Sequence, residues 1–359
     1  MDRPQLVSVS LIGTAQKLSV RALVDLTSIK ELDVPLLDDN SDTVSPWDNI
    51  RFFPKKTFTL KFECLNDQQQ KIYTKEFTTH EFGLFQVELP SFVSQQKVHF
   101  LKIFETSIVP GVECFLGHYF PTYLEEDSKI IISDFDKTLV DTRYSTPKEM
   151  IESLRKPLSN FPTIPSSVQL LKSYMERDYL PFIVSASPHF YERSFRDWLY
   201  QNEIHTSNIF LKDYRKIFSF FNQELTTKDI KHQGFYKLAT IVDILLMCQL
   251  PQEVVLVGDG FESDMMIYIV IKLIVVDKVD PYQLWKELAP KKEFTLNAKQ
   301  QSQFLLKVYE LSNLSRRKWN CNVRIYIRCN SAIIHTIKQR DLEIKRLNDQ
   351  IKHVNFYTA

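Results

Sequence analysis

Near residue 120 the hydrophobic period of this chain changes, and that change constrains the fold more than any other feature. Before it, apolar residues alternate with polar ones. Phe58, Leu60, Phe62 and Cys64 interleave with Thr59, Lys61 and Glu63, and Phe85, Val87 and Leu89 with Gln86 and Glu88. A period of two belongs to a strand with one buried face. Similar runs at 6–12, 18–26, 71–78, 98–104 and 112–120, with no long helical period between them, predict a small all-β sandwich over residues 1–120. The stretch 35–48, rich in Asp, Ser and Pro, reads as a loop.

From about Lys129 onward, short apolar runs at 130–132, 181–184, 208–211 and 254–257 alternate with helical patterns at 166–177, 190–202 and 237–248. That order belongs to βαβ units, so residues 121–359 are expected to form an α/β domain on a parallel sheet with helices on both faces. Pro165, Ser166 or Ser167 is a candidate to start the first helix. Further helices are expected at 281–288 and 298–311, and a terminal amphipathic one over about 332–351. Either 272–276 or 323–328 is the final sheet strand; the pattern leaves this open.

The whole-chain numbers narrow the function classes. A net charge of +1 gives no global field for nucleic acid or an anionic membrane, so no nucleic-acid partner is expected and any anion site must be local. Five scattered cysteines show neither zinc spacing nor a disulfide framework, which points to a reducing compartment. The start, MDRPQLVSVS, lacks a basic region followed by an apolar run. The longest apolar stretch, 265–276, contains Lys272 and is too short to span a bilayer. A cytoplasmic protein without a transmembrane segment, peripheral to a membrane at most, is the expectation.

Four stations carry the chemistry. The run Ile130-Ile-Ile-Ser-Asp134-Phe-Asp136-Lys-Thr138 ends an apolar strand in two carboxylates, at the sheet rim where α/β sites lie. One carboxylate there can act as nucleophile and the other as proton donor. In Pro181-Phe-Ile-Val-Ser185-Ala186-Ser187-Pro188 a second strand ends in a hydroxyl. Ser185 and the following N–H, at Ala186, can hold a phosphate oxygen. Lys237, near the start of a helical pattern, can reach the same phosphate. Lastly, Val254-Val-Leu-Val-Gly258-Asp259-Gly260-Phe-Glu-Ser-Asp264 sets two acids five apart across a strand-to-helix turn, a spacing that brings carboxylates to a hard cation such as Mg²⁺. Each has a bland reading by itself: a solvated acidic loop, an ordinary turn hydroxyl, one of 45 Lys and Arg residues, a helix-capping Asp264. Their order, three of them following apolar strands, is what points to one site.

Together these motifs resemble the haloacid-dehalogenase superfamily of phosphohydrolases, over about residues 129–264 and more loosely to 328. The resemblance implies a Rossmann-like sheet, Asp134 as nucleophile forming an aspartyl-phosphate, and Asp136 as general acid and then base. It implies phosphate binding by Ser185, Ala186 and Lys237, and Mg²⁺ held by Asp134, the Asp136 carbonyl and Asp259, with Asp264 ligating or supporting. Within the superfamily the chain is most similar to the actin-patch type of phosphatidate phosphatase, related to lipins. Ile-Ile-Ser-Asp134-Phe-Asp136 looks like that family's I-S-D-I-D-D-T, Val184-Ser-Ala-Ser-Pro188 its V-S-N-S-P, Phe210-Leu-Lys-Asp213-Tyr its L-R-D-W, Gly258-Asp-Gly-Phe-Glu-Ser-Asp264 its G-D-S-G-Q-x-D, and Val323-Arg-Ile-Tyr-Ile-Arg328 its I-Y-I-R. Lys137 stands where the family has Asp, His189 where it often has Trp, and Met265 where it has Pro.

The implied substrate is a phosphomonoester, in the first place phosphatidate at a membrane surface. Between Asp136 and Ser185 there is room for one or two helices but no cap domain, so the site is expected to be open to bulky esters. The basic-aromatic stretch 213–237, with Arg215, Lys216, Phe218, Phe221, Lys228 and Lys231, is a candidate membrane contact. Two alternatives remain open: a phosphatase for soluble phosphoesters on the same frame, and a phosphatidate-binding module without catalysis.

Overall fold

The structure is a computed structural model. It describes residues 2–28, 57–142, 156, 158–206, 208–212, 233–260, 263–291, 294, 296–318, 320–330 and 344–358. The stretches 35–48 and 213–232 and most of the expected terminal helix lie outside these.

The N-terminal part forms two four-stranded sheets. One has the order β5-β2-β1-β8, from β1 (Asp2–Gly13), β2 (Leu18–Ser28), β5 (Leu84–Leu89) and β8 (Thr122–Tyr123). The other has the order β4-β3-β6-β7, from β3 (Thr59–Leu65), β4 (Lys71–Thr78), β6 (Phe100–Glu105) and β7 (Cys114–Tyr119). The alternation read from the sequence decides which side meets the core. Leu60, Phe62 and Cys64 of β3 and Leu101 and Ile103 of β6 pack against Val20 and Ala22 of β2 and Phe85 of β5, all 0–2% exposed. The short strand β8 lies beyond residue 120 and pairs in parallel with Ile12 and Gly13, so the first sheet reaches further along the chain than the change of period suggests. A helix, α1 (Ser91–Gln95), links β5 to β6.

The rest is mixed α/β around a six-stranded sheet in which every pairing is parallel. Its order is β11-β10-β9-β12-β13-β14, from β9 (Lys129–Ser133), β10 (Tyr179–Pro188), β11 (Ile209–Lys212), β12 (Glu253–Asp259), β13 (Asn322–Arg328) and β14 (Val354–Tyr357). Strands buried on both faces read as continuous apolar runs, and here each run splits by parity. Ile130 and Ile132 join one core with α4 (Gln233–Met247), α5 (Asp264–Val275), α6 (Pro281–Leu288), α7 (Ala298–Arg317) and α8 (Lys345–Gln350). Ile131 joins the opposite core with α2 (Pro165–Met175) and α3 (Glu192–Gln201).

The structure resolves the choice of final strand. Residues 323–328 lie in β13, beside β12, while 264–275 is the helix α5, whose residues are nearly all buried. A continuous apolar run of that length suits a helix enclosed on all sides better than a strand. A further strand, β14, forms the sheet's edge beyond it. None of Pro165, Ser166 and Ser167 caps α2 through a side chain: Ile164 is the N-cap and Pro165 stands just inside the first turn. Ser167 instead hydrogen-bonds the Tyr357 hydroxyl of β14 at 2.9 Å.

The two parts are sewn together along β1. Ser8 donates from N–H and Oγ to Glu192 at the start of α3. Ser10 Oγ donates to Asn208 Oδ1 at 2.7 Å, just before β11, and Arg21 lies 4.7 Å over the Phe210 ring. Ile12 is buried in the α/β core itself.

Candidate active site

The in-register pairing of β9 with β10 and β12 brings their C-terminal ends to one rim. Asp134 follows β9 and its N–H donates to the Val257 carbonyl at 2.8 Å, so the acid is fixed to the neighbouring strand. Asp259 ends β12 and Asp264 opens α5. One carboxylate oxygen from each of Asp134, Asp259 and Asp264 lies within 4.8 Å of the others, and all three residues are 0–1% exposed.

Lys237, one turn inside α4, enters this cluster. Its Nζ is 2.9 Å from Asp134 Oδ1 and 2.7 Å from Asp264 Oδ1. Three carboxylates gathered in one buried space repel one another when ionised, and a divalent cation with oxygen ligands would offset that repulsion. The donor set is therefore chemically suited to Mg²⁺.

Gly258 makes room for a neighbouring acid. Its backbone continues β12, and a Cβ there would stand 2.5 Å from Asp264 Oδ2 and 2.8 Å from Tyr268 Cε2. The missing side chain lets α5 approach closely enough for Asp259 N–H to reach Asp264 Oδ2 at 3.3 Å. Below it, Tyr268 donates to the Val257 carbonyl at 3.0 Å. Burial pushes that hydroxyl well above its ordinary range, with the nearby Asp264 and Asp134 acting in the same direction, so Tyr268 remains a neutral donor.

Asp136 faces a second group, made of hydroxyls. Ser185 Oγ donates to its Oδ2 at 2.8 Å, Ser187 Oγ to the same oxygen at 2.7 Å, and Thr142 Oγ1 to Oδ1 at 3.3 Å. Ser187 N–H in turn donates to Ser185 Oγ at 2.9 Å, and Thr138 Oγ1 donates to Asp134 Oδ2 at 3.2 Å. Lys137 lies between the acids and the Thr at φ 58°, the left-handed region. Asp tolerates that region better than Lys, and Arg328 Nε steadies the turn by donating to the Lys137 carbonyl at 2.6 Å. The Arg328 carbonyl accepts from Gly260 N–H, which ties β13 to the Asp259 loop as well.

The fold thus brings Asp134, Lys237, Asp259 and Asp264 into one cluster, with Asp136 and Ser185 beside it. Ala186 follows Ser185 on the same strand. Sequence reasoning passed over Ser187, Thr142, Tyr268 and Arg328. Ser187 and Arg328 lie inside motifs already quoted, and Tyr268 inside the apolar stretch 265–276; Thr142 had no signal of its own.

Residues 129–279 match the family model described as phosphatidate phosphatase APP1, catalytic domain. No curated protein matches the chain. Solved structures include a β-glucuronidase of Parabacteroides merdae, with 8% identity, a TM-score of 0.24, and coverage of 91% of this chain and 33% of that one. A second structure of that enzyme, with glycerol in its active site, again shows 8% identity and 0.24, over 99% of this chain and 39% of that one. A family 2 glycosyl hydrolase from Bacteroides cellulosilyticus shows 9% identity and 0.18, over 99% and 45%. The chain thus spans less than half the length of each, and superpositions this poor carry no argument about fold or function.

Proposed function

We propose, from the membership of residues 129–279 in the phosphatidate phosphatase APP1 catalytic-domain family, that this chain hydrolyses phosphatidate or a similar lipid phosphomonoester through an aspartyl-phosphate on Asp134. The observation that carries the reading is the buried cluster of Asp134, Asp259 and Asp264 around Lys237. Lys237 bridges two of these acids, and three carboxylates gathered in one buried space suit a cation and a phosphate. We read the parallel sheet as Rossmann-like, and divide the chain near Leu124 into an accessory β-sandwich and a catalytic part, so that β8 stays with the sandwich.

In this reading an Asp134 oxygen attacks phosphorus, and the bond from phosphorus to the alcohol oxygen breaks. Asp136 gives its proton to the departing alkoxide. Asp136 then takes a proton from water, whose oxygen attacks the acyl phosphate, releasing inorganic phosphate and restoring the Asp134 carboxylate. Ser185 and the N–H of Ala186 hold the phosphoryl oxygens, and Lys237 shifts its charge toward them from the two acids it now bridges. Asp134, the Asp136 carbonyl, Asp259 and Asp264 would hold Mg²⁺, which supplies charge neutralisation to the transferring phosphoryl group. Ser187 and Thr142 orient Asp136.

The test is phosphate release from phosphatidate in detergent micelles, with and without Mg²⁺ and after chelation. Hydrolysis abolished by chelation and restored by Mg²⁺ is expected. Equal release in chelator would remove the cation from the scheme. Brisk cleavage of soluble phosphoesters beside inert phosphatidate would move the activity to the alternative substrate class.

A further inference from the structure

The sandwich carries an apolar tip on the same side as the catalytic rim. Between β6 and β7 the chain runs Thr106-Ser-Ile-Val109-Pro-Gly111-Val112-Glu113. Val109 is 45% exposed and Val112 52%, while Ile108 packs back on the sandwich core. Gly111 turns at φ 78° with nothing within 4 Å of where a Cβ would stand. The turn is built rather than loose. The fully buried Glu105 carboxylate accepts from Ser107 N–H at 2.8 Å, Ile108 N–H at 3.0 Å and the Ser107 hydroxyl, and Val112 N–H closes on the Val109 carbonyl at 3.0 Å.

Along the outer surface of the hairpin, β7 exposes Phe115 at 40% next to the tip, and the residue after β7, Phe120, is exposed at 60% at the end remote from the tip. Phe100 and Phe104 join them on the same outer surface, with Lys102 over the Phe100 ring at 5.7 Å and Lys61 over Phe104 at 4.8 Å. Aromatic rings edged by lysines whose stems lie along them suit the boundary between headgroups and acyl chains.

The contacts of β1 fix where this tip points. Gly13 lies near the base of the six-stranded sheet, since its carbonyl accepts from Leu124 N–H shortly before β9 begins. Ser8 is level with Glu192, which follows the rim end of β10. Arg3, further along in the same direction, donates to the Phe115 carbonyl at 3.1 Å. β1 is bulged at Ser8, but its pairing with β2 continues on both sides of the bulge, so the hairpin lies on the rim side of the sheet.

We propose that the β6–β7 hairpin is a bilayer-inserting tip that seats the catalytic rim on a lipid surface. The choice of occupant rests on the phosphatidate reading, because a headgroup must be met where it lies, in the interface. The charges near the tip favour insertion over electrostatic attraction: Lys61 is held by Glu63 and Glu113, so little net charge is offered. Binding through Val109 and Val112 is therefore insensitive to salt, unlike binding through a basic loop.

The test uses the full chain and phosphatidylcholine vesicles, with and without added phosphatidate, at low and high salt. The wild type is expected to sediment with the vesicles at both ionic strengths. The double variant Val109→Asp/Val112→Asp is expected to bind at least about a hundredfold more weakly, while cleaving a soluble aryl phosphate at the wild-type rate. If the aspartates disturb folding, Val109→Ser/Val112→Ser gives the same reading. Vesicle binding unchanged in a variant, or no binding by the wild type, overturns the proposal. So does a wild-type dimer that the variant loses while vesicle binding stays the same, which assigns the tip to a second copy of the chain. Tip-dependent binding beside failure to cleave phosphatidate in micelles supports the tip and removes the substrate reading.

Discussion

Glu105 in the sandwich and Asp134, Asp259 and Asp264 at the end of the six-stranded sheet are all buried acids, 0–1% exposed, in opposite surroundings. Glu105 is surrounded by donors two and three residues along its own chain, and its carboxylate shapes one turn. Asp134, just after β9, lies over a hundred residues from Asp259 of β12 and Asp264 of α5, yet the three gather in one cluster in which Lys237 bridges Asp134 and Asp264. A structural acid collects backbone N–H groups until its charge is met. A cluster of like charges destabilises the fold, and persists where a ligand offsets it. Burial alone therefore does not distinguish a working acid from a structural one; the partners do.

The largest effect expected from this contrast is at Asp134. Asp134→Asn removes the proposed nucleophile with little change of volume, and turnover should fall by at least about 10⁴-fold with the fold intact by circular dichroism. Near-normal turnover would place the acyl phosphate elsewhere.

Lys237→Met comes next. Turnover should fall about 10²–10³-fold. The carboxylates left behind should lower stability by about 3–5 kcal/mol, an effect that Mg²⁺ should partly reverse in a melting experiment. A variant that melts like the wild type with and without Mg²⁺ would mean that the cluster carries no net charge to offset. Lys228 and Lys231, outside the described residues, are the rivals for the phosphate-side lysine, and an inactive Lys231→Ala beside an active Lys237→Ala would hand Lys231 the role.

Ser187→Ala removes one of the three hydroxyls on Asp136 while leaving Ser185 and Thr142 in place. A loss of about tenfold in kcat is expected, the size of one neutral hydrogen bond, with KM little changed. A rise in KM at constant kcat would show Ser187 holding substrate instead.

The smallest effect on catalysis is expected at Glu105. Glu105→Gln keeps the shape but weakens a charged acceptor of three bonds, at a cost of about 1–3 kcal/mol in stability. Turnover of a soluble phosphoester per folded molecule should not move. If it fell with stability, the two regions would not be separable in function.

The motifs were legible because each is local. A strand that ends at a rim ends in sequence too, so Ile130–Asp136, Pro181–Ser185 and Val254–Asp259 announce their own chemistry, and the alternation of apolar runs with helical patterns announces the parallel sheet. The reason for Gly258 was not legible, since the atom it makes room for belongs to Asp264 across a turn. Thr142 left no trace, because a threonine beyond a tight turn has no pattern until the turn folds it over Asp136. The apolar stretch 265–276 was ambiguous for a related reason: a helix covered on every side loses the polar face that marks its period.

By itself, then, the sequence determined the change from β-structure to α/β, the strands that end in acids, and the residue types available at each end. Only the tertiary structure decided that Lys237 bridges Asp134 and Asp264, that β13 and β14 complete the sheet, that Arg328 steadies the turn at Lys137, and that the β6–β7 tip shares a side with the rim. The physical reason is range. Hydrophobic period and turn chemistry act over a few residues, whereas these contacts join residues tens to hundreds apart, which meet only once parallel strands are in register and the cores on both faces have closed.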